Sequence, residues 1–159
     1  MATSTRGRSR TLSLPQQALG LRSLFPDSHI TLRGRMLRWA GDLRPTELSR
    51  PYRTRLDYEL GQYPTVNVID PPITDVYDRI PHIYNSGQLC VHDADDFTPA
   101  MLLVDTVLAW TIEWLFFWEL FLATDHWYGD GPDTETDHGV DRGIDRSPVE
   151  PLPSMPRHN

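Results

Sequence analysis

Lysine is absent from this 159-residue chain, so all fifteen basic residues are arginines, and cysteine occurs once, at Cys90. A single cysteine cannot close an intramolecular disulfide. No apolar run of the secretory type opens the sequence, which makes the cytoplasm the expected compartment. Glycine-rich nucleotide loops of the Walker or Rossmann type are also missing, so the chain is not expected to adenylate a substrate of its own. No cofactor is expected. CxxC pairs and regular histidine spacings are lacking too, which weakens a zinc site drawn from Cys90, His82, His92 and Asp93. The surroundings of a papain-like nucleophile are not found either.

What is present points to a folded domain. Apolar residues make up 39% and aromatics 10%, enough for one core in a chain of this length. The net charge of −7 conceals an asymmetry: as far as Leu56 eleven arginines face three acidic residues, and beyond it four arginines face nineteen. Solvated faces and tails account for this most simply, and a bipolar surface that orients charged partners is the sharper reading. The acidic total argues against nucleic-acid binding. The run from Met101 to Ala123 is long and apolar, but it carries Asp105, Glu113 and Glu119. Each would cost about 2.5–3.5 kcal/mol at a bilayer centre. At 100° per residue those carboxylates fall opposite Trp110, Trp114 and Trp118, which predicts an amphipathic helix rather than a membrane span.

Residues 1–14, rich in Ser, Thr and Arg, read as a mobile arm, residues 15–128 as one domain, and the acidic Pro/Gly-rich segment 129–159 as a disordered tail. A short helix is predicted from Pro15 to Phe25 with Ala18, Leu19, Leu21, Leu24 and Phe25 as its apolar positions. Ile30, Leu32 and Met36 alternate with polar residues and slip into Leu37 and Trp39, which reads as one bulged strand, followed by a loop at Gly41, Asp42 and Pro45. Tyr52 to Leu60 alternates cleanly, and Val66 to Ile69 forms a further short strand halted by Pro71 and Pro72. An irregular loop from Ile73 to Pro99 carries the cysteine, and a long helix runs from Pro99 to Thr124. The fold class is therefore α+β: N-terminal helix, antiparallel β-meander, Cys-bearing loop, long amphipathic helix.

Within this order stand Gln62-Tyr63-Pro64, Pro71-Pro72, the run Ile80-Pro81-His82-Ile83-Tyr84-Asn85-Ser86-Gly87-Gln88-Leu89-Cys90, and Phe97-Thr98-Pro99-Ala100. The combination resembles the signature of ubiquitin-conjugating (UBC-fold) enzymes: YP and PP elements, an HPN tripeptide, an aromatic, a glycine, the active cysteine and a Trp-x-Pro. In that family the tripeptide begins ten positions before the cysteine, as Ile80 does before Cys90. The resemblance covers about Ile30 to Thr124. Here the tripeptide is Ile80-Pro81-His82, so His82 replaces the asparagine whose amide is assigned to the oxyanion, and the later helices of many eukaryotic members are missing. With Trp110, Glu113-Trp114-Leu115 and Trp127-Tyr128-Gly129, the sequence is similar to the bacterial conjugating proteins of short antiphage CBASS operons.

That resemblance implies an active-site loop on which Cys90 carries the C-terminus of a protein donor as a thioester and passes it to an amine. It implies a cGAS-like nucleotidyltransferase as donor, with an activating enzyme or a pre-activated donor to charge the sulfur. A protein without lysine presents no side-chain amine of its own to such chemistry. From the residues themselves, thiolate formation calls for positive charge near Cys90, for which His82 and His92 are candidates. An oxyanion calls for an aimed donor, for which His82 and, as a fallback, Asn85 are candidates; His82→Ala should then slow transfer more than loading. Deprotonation of the amine calls for a carboxylate, offered by Asp93, Asp95 and Asp96. The Trp stripe reads as core and Trp127 as an exposed anchor. A catalytically silent adaptor that only binds the synthase is the competing reading.

Overall fold

The computed structural model describes residues 10–74, 76 and 79–129. Residues 1–9 of the expected arm, and the expected tail from residue 130 onward, lie outside them. The end of that arm is already tied down. The Leu12 amide donates to the Pro99 carbonyl at 2.8 Å, and Ser13 caps the first helix, α1 (Leu14–Leu24), through a reciprocal capping box with Gln16. Two orphan donors of the first turn are thereby satisfied.

The buried face of α1 is only partly the one expected: Leu21 is buried and Ala18 and Phe25 pack against the core. Leu14, Gln17 and Leu21 are buried, whereas Leu19 and Leu24 are 72% and 63% exposed. Gln17 takes the inner position because its amide has partners there: Nε2 donates to the Met101 carbonyl at 2.8 Å and Oε1 accepts from the Leu103 amide at 2.9 Å.

Four antiparallel strands follow in the order β1-β2-β3-β4: β1 (His29–Arg33), β2 (Met36–Leu43), β3 (Tyr52–Glu59) and β4 (Thr65–Asp70). The expected single bulged strand is in fact a hairpin. Arg33 pairs with Met36, so the slip in period marks a two-residue loop in which Gly34 takes φ +57°, a backbone region that glycine enters without steric cost. Nor do Gly41 and Asp42 form a loop, because β2 runs through them. A Cβ at Gly41 would lie 2.5 Å from the Trp39 ring, so glycine here makes room for the indole.

One sheet face is sealed. Leu37, Trp39, Leu43, Tyr52, Thr54, Leu56, Tyr58 and Val66 are all buried, with Trp39 opposite Leu56 and Leu56 opposite Val66. The outer face carries Arg38 and Arg55 on Asp57 at 2.5 and 2.9 Å, and Arg53 on Asp42 at 3.3 Å. Large buried apolar side chains are worth about 1.5–3 kcal/mol each and exposed ion pairs about 0–1. The buried face therefore sets the register, since a slip of one residue would turn every one of these side chains to solvent.

The long helix, α2 (Val107–Thr124), starts eight residues after Pro99. Turns occupy the interval, because the Pro99 and Met101 carbonyls and the Leu103 amide are engaged by Leu12 and Gln17 and are not free for a helical ladder. Asp105 accordingly precedes the helix. Glu119 is not on a solvated face: it accepts from the Ser49 hydroxyl at 2.6 Å and from Tyr52 at 3.1 Å. The Tyr52 phenol is pushed up to about 12, first by burial and then by that carboxylate. Trp114, Trp118 and Phe121 join the core. The outer side keeps Glu113 but also Phe116, 40% exposed, so the helix is less amphipathic than expected. It is long and apolar enough to cross a membrane by length and composition, and 39% of that window is buried inside the protein.

Candidate functional site

The cysteine sits at the end of a small hairpin that the sequence alone reads as irregular. Ile83 bridges Leu89, the Tyr84 amide donates to the Gln88 carbonyl at 2.9 Å, and the Gly87 amide donates to the Tyr84 carbonyl at 2.8 Å. Gly87 supplies the φ of +80° that closes the turn. The returning arm is sewn to β4: the Leu89 amide donates to the Val66 carbonyl at 2.9 Å, and Gln88 bridges Asn67. Leu89 is 3% exposed, and this anchor in the core presents the half-buried Cys90 from the sheet edge.

His82 shapes this presentation through its backbone. Its carbonyl accepts from the Cys90 amide at 2.9 Å and from the Trp114 indole at 3.1 Å. Those two bonds hold the residue at φ +66°, a region that costs a side-chain-bearing residue on the order of 1 kcal/mol or more. Its imidazole packs toward Trp127 with ring centroids 6.3 Å apart, and Nδ1 is buried with no partner among the described residues. Burial pushes the imidazole below the ordinary histidine range, and the Asp93 carboxylate acts in the opposite sense.

A testable pH dependence follows. A histidine whose folded value is lowered binds fewer protons in the folded than in the unfolded state, so stability declines as pH falls through the unfolded value of about 6.5. Between pH 7.5 and 5.5 the melting temperature of the wild type should drop further than that of His82→Gln, as differential scanning fluorimetry would show. Equal drops would remove His82 as the source.

Beside the sulfur opens a cleft of about 520 Å³. The hairpin side contributes Cys90, Val91, His92 and Asp96, and α2 contributes Trp110, Glu113, Trp114 and Phe117. Trp127 and Gly129 close it. The His92 ring lies 5.4 Å from that of Trp110. Its Nδ1 is 2.9 Å from the Asp93 carbonyl; a carbonyl can only accept, so Nδ1 carries a proton. The Asp93 amide in turn donates to the Asp96 carboxylate at 2.9 Å.

Of the predicted residues, Cys90, His92 and Asp96 meet at this cleft, while His82, Asn85, Asp93 and Asp95 are not among its walls. Asn85 is exposed at the hairpin tip, and Asp93 and Asp95 are exposed on the loop after the cysteine. Trp127 is not an exposed anchor: it packs 5.3 Å from Trp114 and 6.2 Å from Phe117, and its indole nitrogen is buried without a partner among the described residues. The stripe divides: Trp118 is core, Trp110 is wall, and Trp114 is both. Sequence reasoning assigned no place in the site to Glu113, Phe117 or Tyr84. Trp110, Glu113, Trp114 and Phe117 stand at i, i+3, i+4 and i+7, a spacing that puts them on one helix face and could have signalled the wall. Tyr84 donates its hydroxyl to the Cys90 sulfur at 3.5 Å.

Comparison with curated proteins gives no match. The pattern of one family, described as "Type II CBASS E2 protein", matches residues 17–134, about three quarters of the chain. The helix, four-stranded meander and long helix are consistent with an E2-like (UBC-like) fold, and the matched region contains the cysteine hairpin and every wall of the cleft. The chain belongs to the Type II CBASS E2 protein family, the E2-like conjugating component of antiphage CBASS systems.

Proposed function

We propose that Cys90 carries the C-terminus of a protein donor as a thioester and transfers it to an amine, and that the donor is the cGAS-like synthase of the same defence system. The observation that carries this reading is a free, half-buried thiol at the mouth of an aromatic cleft, on a hairpin anchored to the sheet. The sulfur attacks an activated carbonyl carbon, expelling the activating group, and an amine later attacks the same carbon to form an amide and release the thiol. The chain has no nucleotide loop, so activation belongs to a partner enzyme or to a pre-activated donor. The cleft is large enough for a few residues of an extended C-terminal segment, and the cytoplasm is the compartment in which a free thiol of this kind persists.

Incubated with synthase, activating partner and ATP, the wild type should form an adduct cleaved by reducing agent. Cys90→Ser should convert it to an oxygen ester that resists reduction. Absence of any reducible wild-type adduct, with the synthase still bound in pull-down, would replace the enzyme by the adaptor.

A further inference from the structure

In this protein the replacement of the family asparagine by His82 leaves the oxyanion without its expected amide donor, and the structure puts the imidazole elsewhere. The His82 ring leans on Trp127, does not line the cleft, and keeps Nδ1 buried. One hydroxyl does reach the sulfur, that of Tyr84. We infer that Tyr84 is a catalytic residue that donates its hydroxyl hydrogen bond to the acyl oxygen during thioester formation and discharge, taking the part left open at position 82. This rests on the proposed thioester reading of Cys90.

The geometry supports it. The oxygen of an acyl group on Sγ lies within a few ångströms of that sulfur, so a donor seated 3.5 Å from Sγ is in reach of the carbonyl oxygen once the sulfur is acylated. Tyr84, like His82, is absent from the cleft walls, but its hydroxyl is hydrogen-bonded to Sγ. Its backbone is rigid, because both its amide and its carbonyl are bonded within the hairpin.

The phenol also keeps its proton. It is pushed up to about 12, first by the hydrogen bond with Cys90, then by burial and the charges at Cys90 and Asp93, and it remains a donor across the physiological range. In the discharge step the amine nitrogen bonds to the carbonyl carbon and the C=O electron pair moves to oxygen, where the Tyr84 O–H hydrogen bond holds it without proton transfer. Collapse of that intermediate breaks the C–S bond, releases the Cys90 thiolate and leaves an amide, and the surplus amine proton passes to solvent or a nearby carboxylate.

Tyr84 is 52% exposed, so Tyr84→Phe removes the hydroxyl while leaving the ring packing. With wild type and variant charged to the same adduct level, single-turnover discharge to hydroxylamine and to a lysine peptide should slow by about 10²-fold in Tyr84→Phe, the loss typical of one oxyanion donor. Unchanged melting temperature and complete alkylation of Cys90 by iodoacetamide will show that fold and thiol are intact. If the folded variant fails to charge at all, the loading rate is read instead, since it crosses the same oxyanion, and that loss supports the assignment. Discharge within twofold of wild type overturns it, as does a loss found only in His82→Gln, which would return the role to the imidazole. Lack of any wild-type adduct refutes the thioester reading itself, a result distinct from both.

Discussion

Replacing Trp114 by alanine should destabilise the protein by about 3–5 kcal/mol, a large part of the roughly 5–15 kcal/mol that holds a domain of this size together. The indole is 5% exposed, stacks on Trp118 with centroids 6.1 Å apart and supports Trp127 at 5.3 Å. Truncation would open a cavity under both rings. It would also free the His82 carbonyl from the indole N–H at 3.1 Å, loosening the residue whose carbonyl also holds the Cys90 amide. Trp114→Phe should be milder: it keeps a buried aromatic ring but loses the N–H donor and the volume of the second ring, and because the carbonyl still accepts from Cys90 the expected cost is about 1–3 kcal/mol. Urea midpoints at constant m-value would measure both. A Trp114→Ala variant within 1 kcal/mol of wild type would mean that this indole is not core.

Gln17→Ala should cost about 2–5 kcal/mol. The side chain is fully buried and answers a carbonyl and an amide 84 and 86 residues away. Its loss leaves the Met101 carbonyl and the Leu103 amide without those partners, at about 1–3 kcal/mol for each group that stays buried. Gln17→Leu should not rescue, because filling the space does nothing for the two backbone groups. If leucine restored wild-type stability, packing rather than hydrogen bonding would be the reason for Gln17. Leu19→Ala on the neighbouring face, 72% exposed, should stay within about 0.5 kcal/mol. The ordering of these three variants in chemical denaturation tests which side of α1 is inside.

These two variants bear on the site as well as on stability. Gln17 fixes residues 101–103, from which α2 departs, and α2 supplies Trp110, Glu113 and Phe117 to the cleft. Trp114 ties the same helix to His82. A loss of adduct formation in either variant should therefore track the loss of fold, whereas Tyr84→Phe should lose rate with the fold intact.

Local pattern alone settled much of this protein. Strict alternation from Tyr52 to Leu60 placed Tyr52, Thr54, Leu56 and Tyr58 on one face, since a strand's period of two needs no knowledge of what it packs against. The spacing from Ile80 through Gly87 to Cys90 carried the resemblance with which the family match over residues 17–134 agrees, although the hairpin there read only as an irregular loop. Tertiary structure decided the rest, where distant groups compete for the same backbone or space. The start of α2 depends on what Leu12 and Gln17 take from residues 99–103, and the place of Glu119 depends on Ser49 and Tyr52. Which of the residues around Cys90 share its cleft is likewise a matter of long-range packing: the hairpin and α2 are far apart in sequence order from the strands that position them, and no short-range period encodes their meeting.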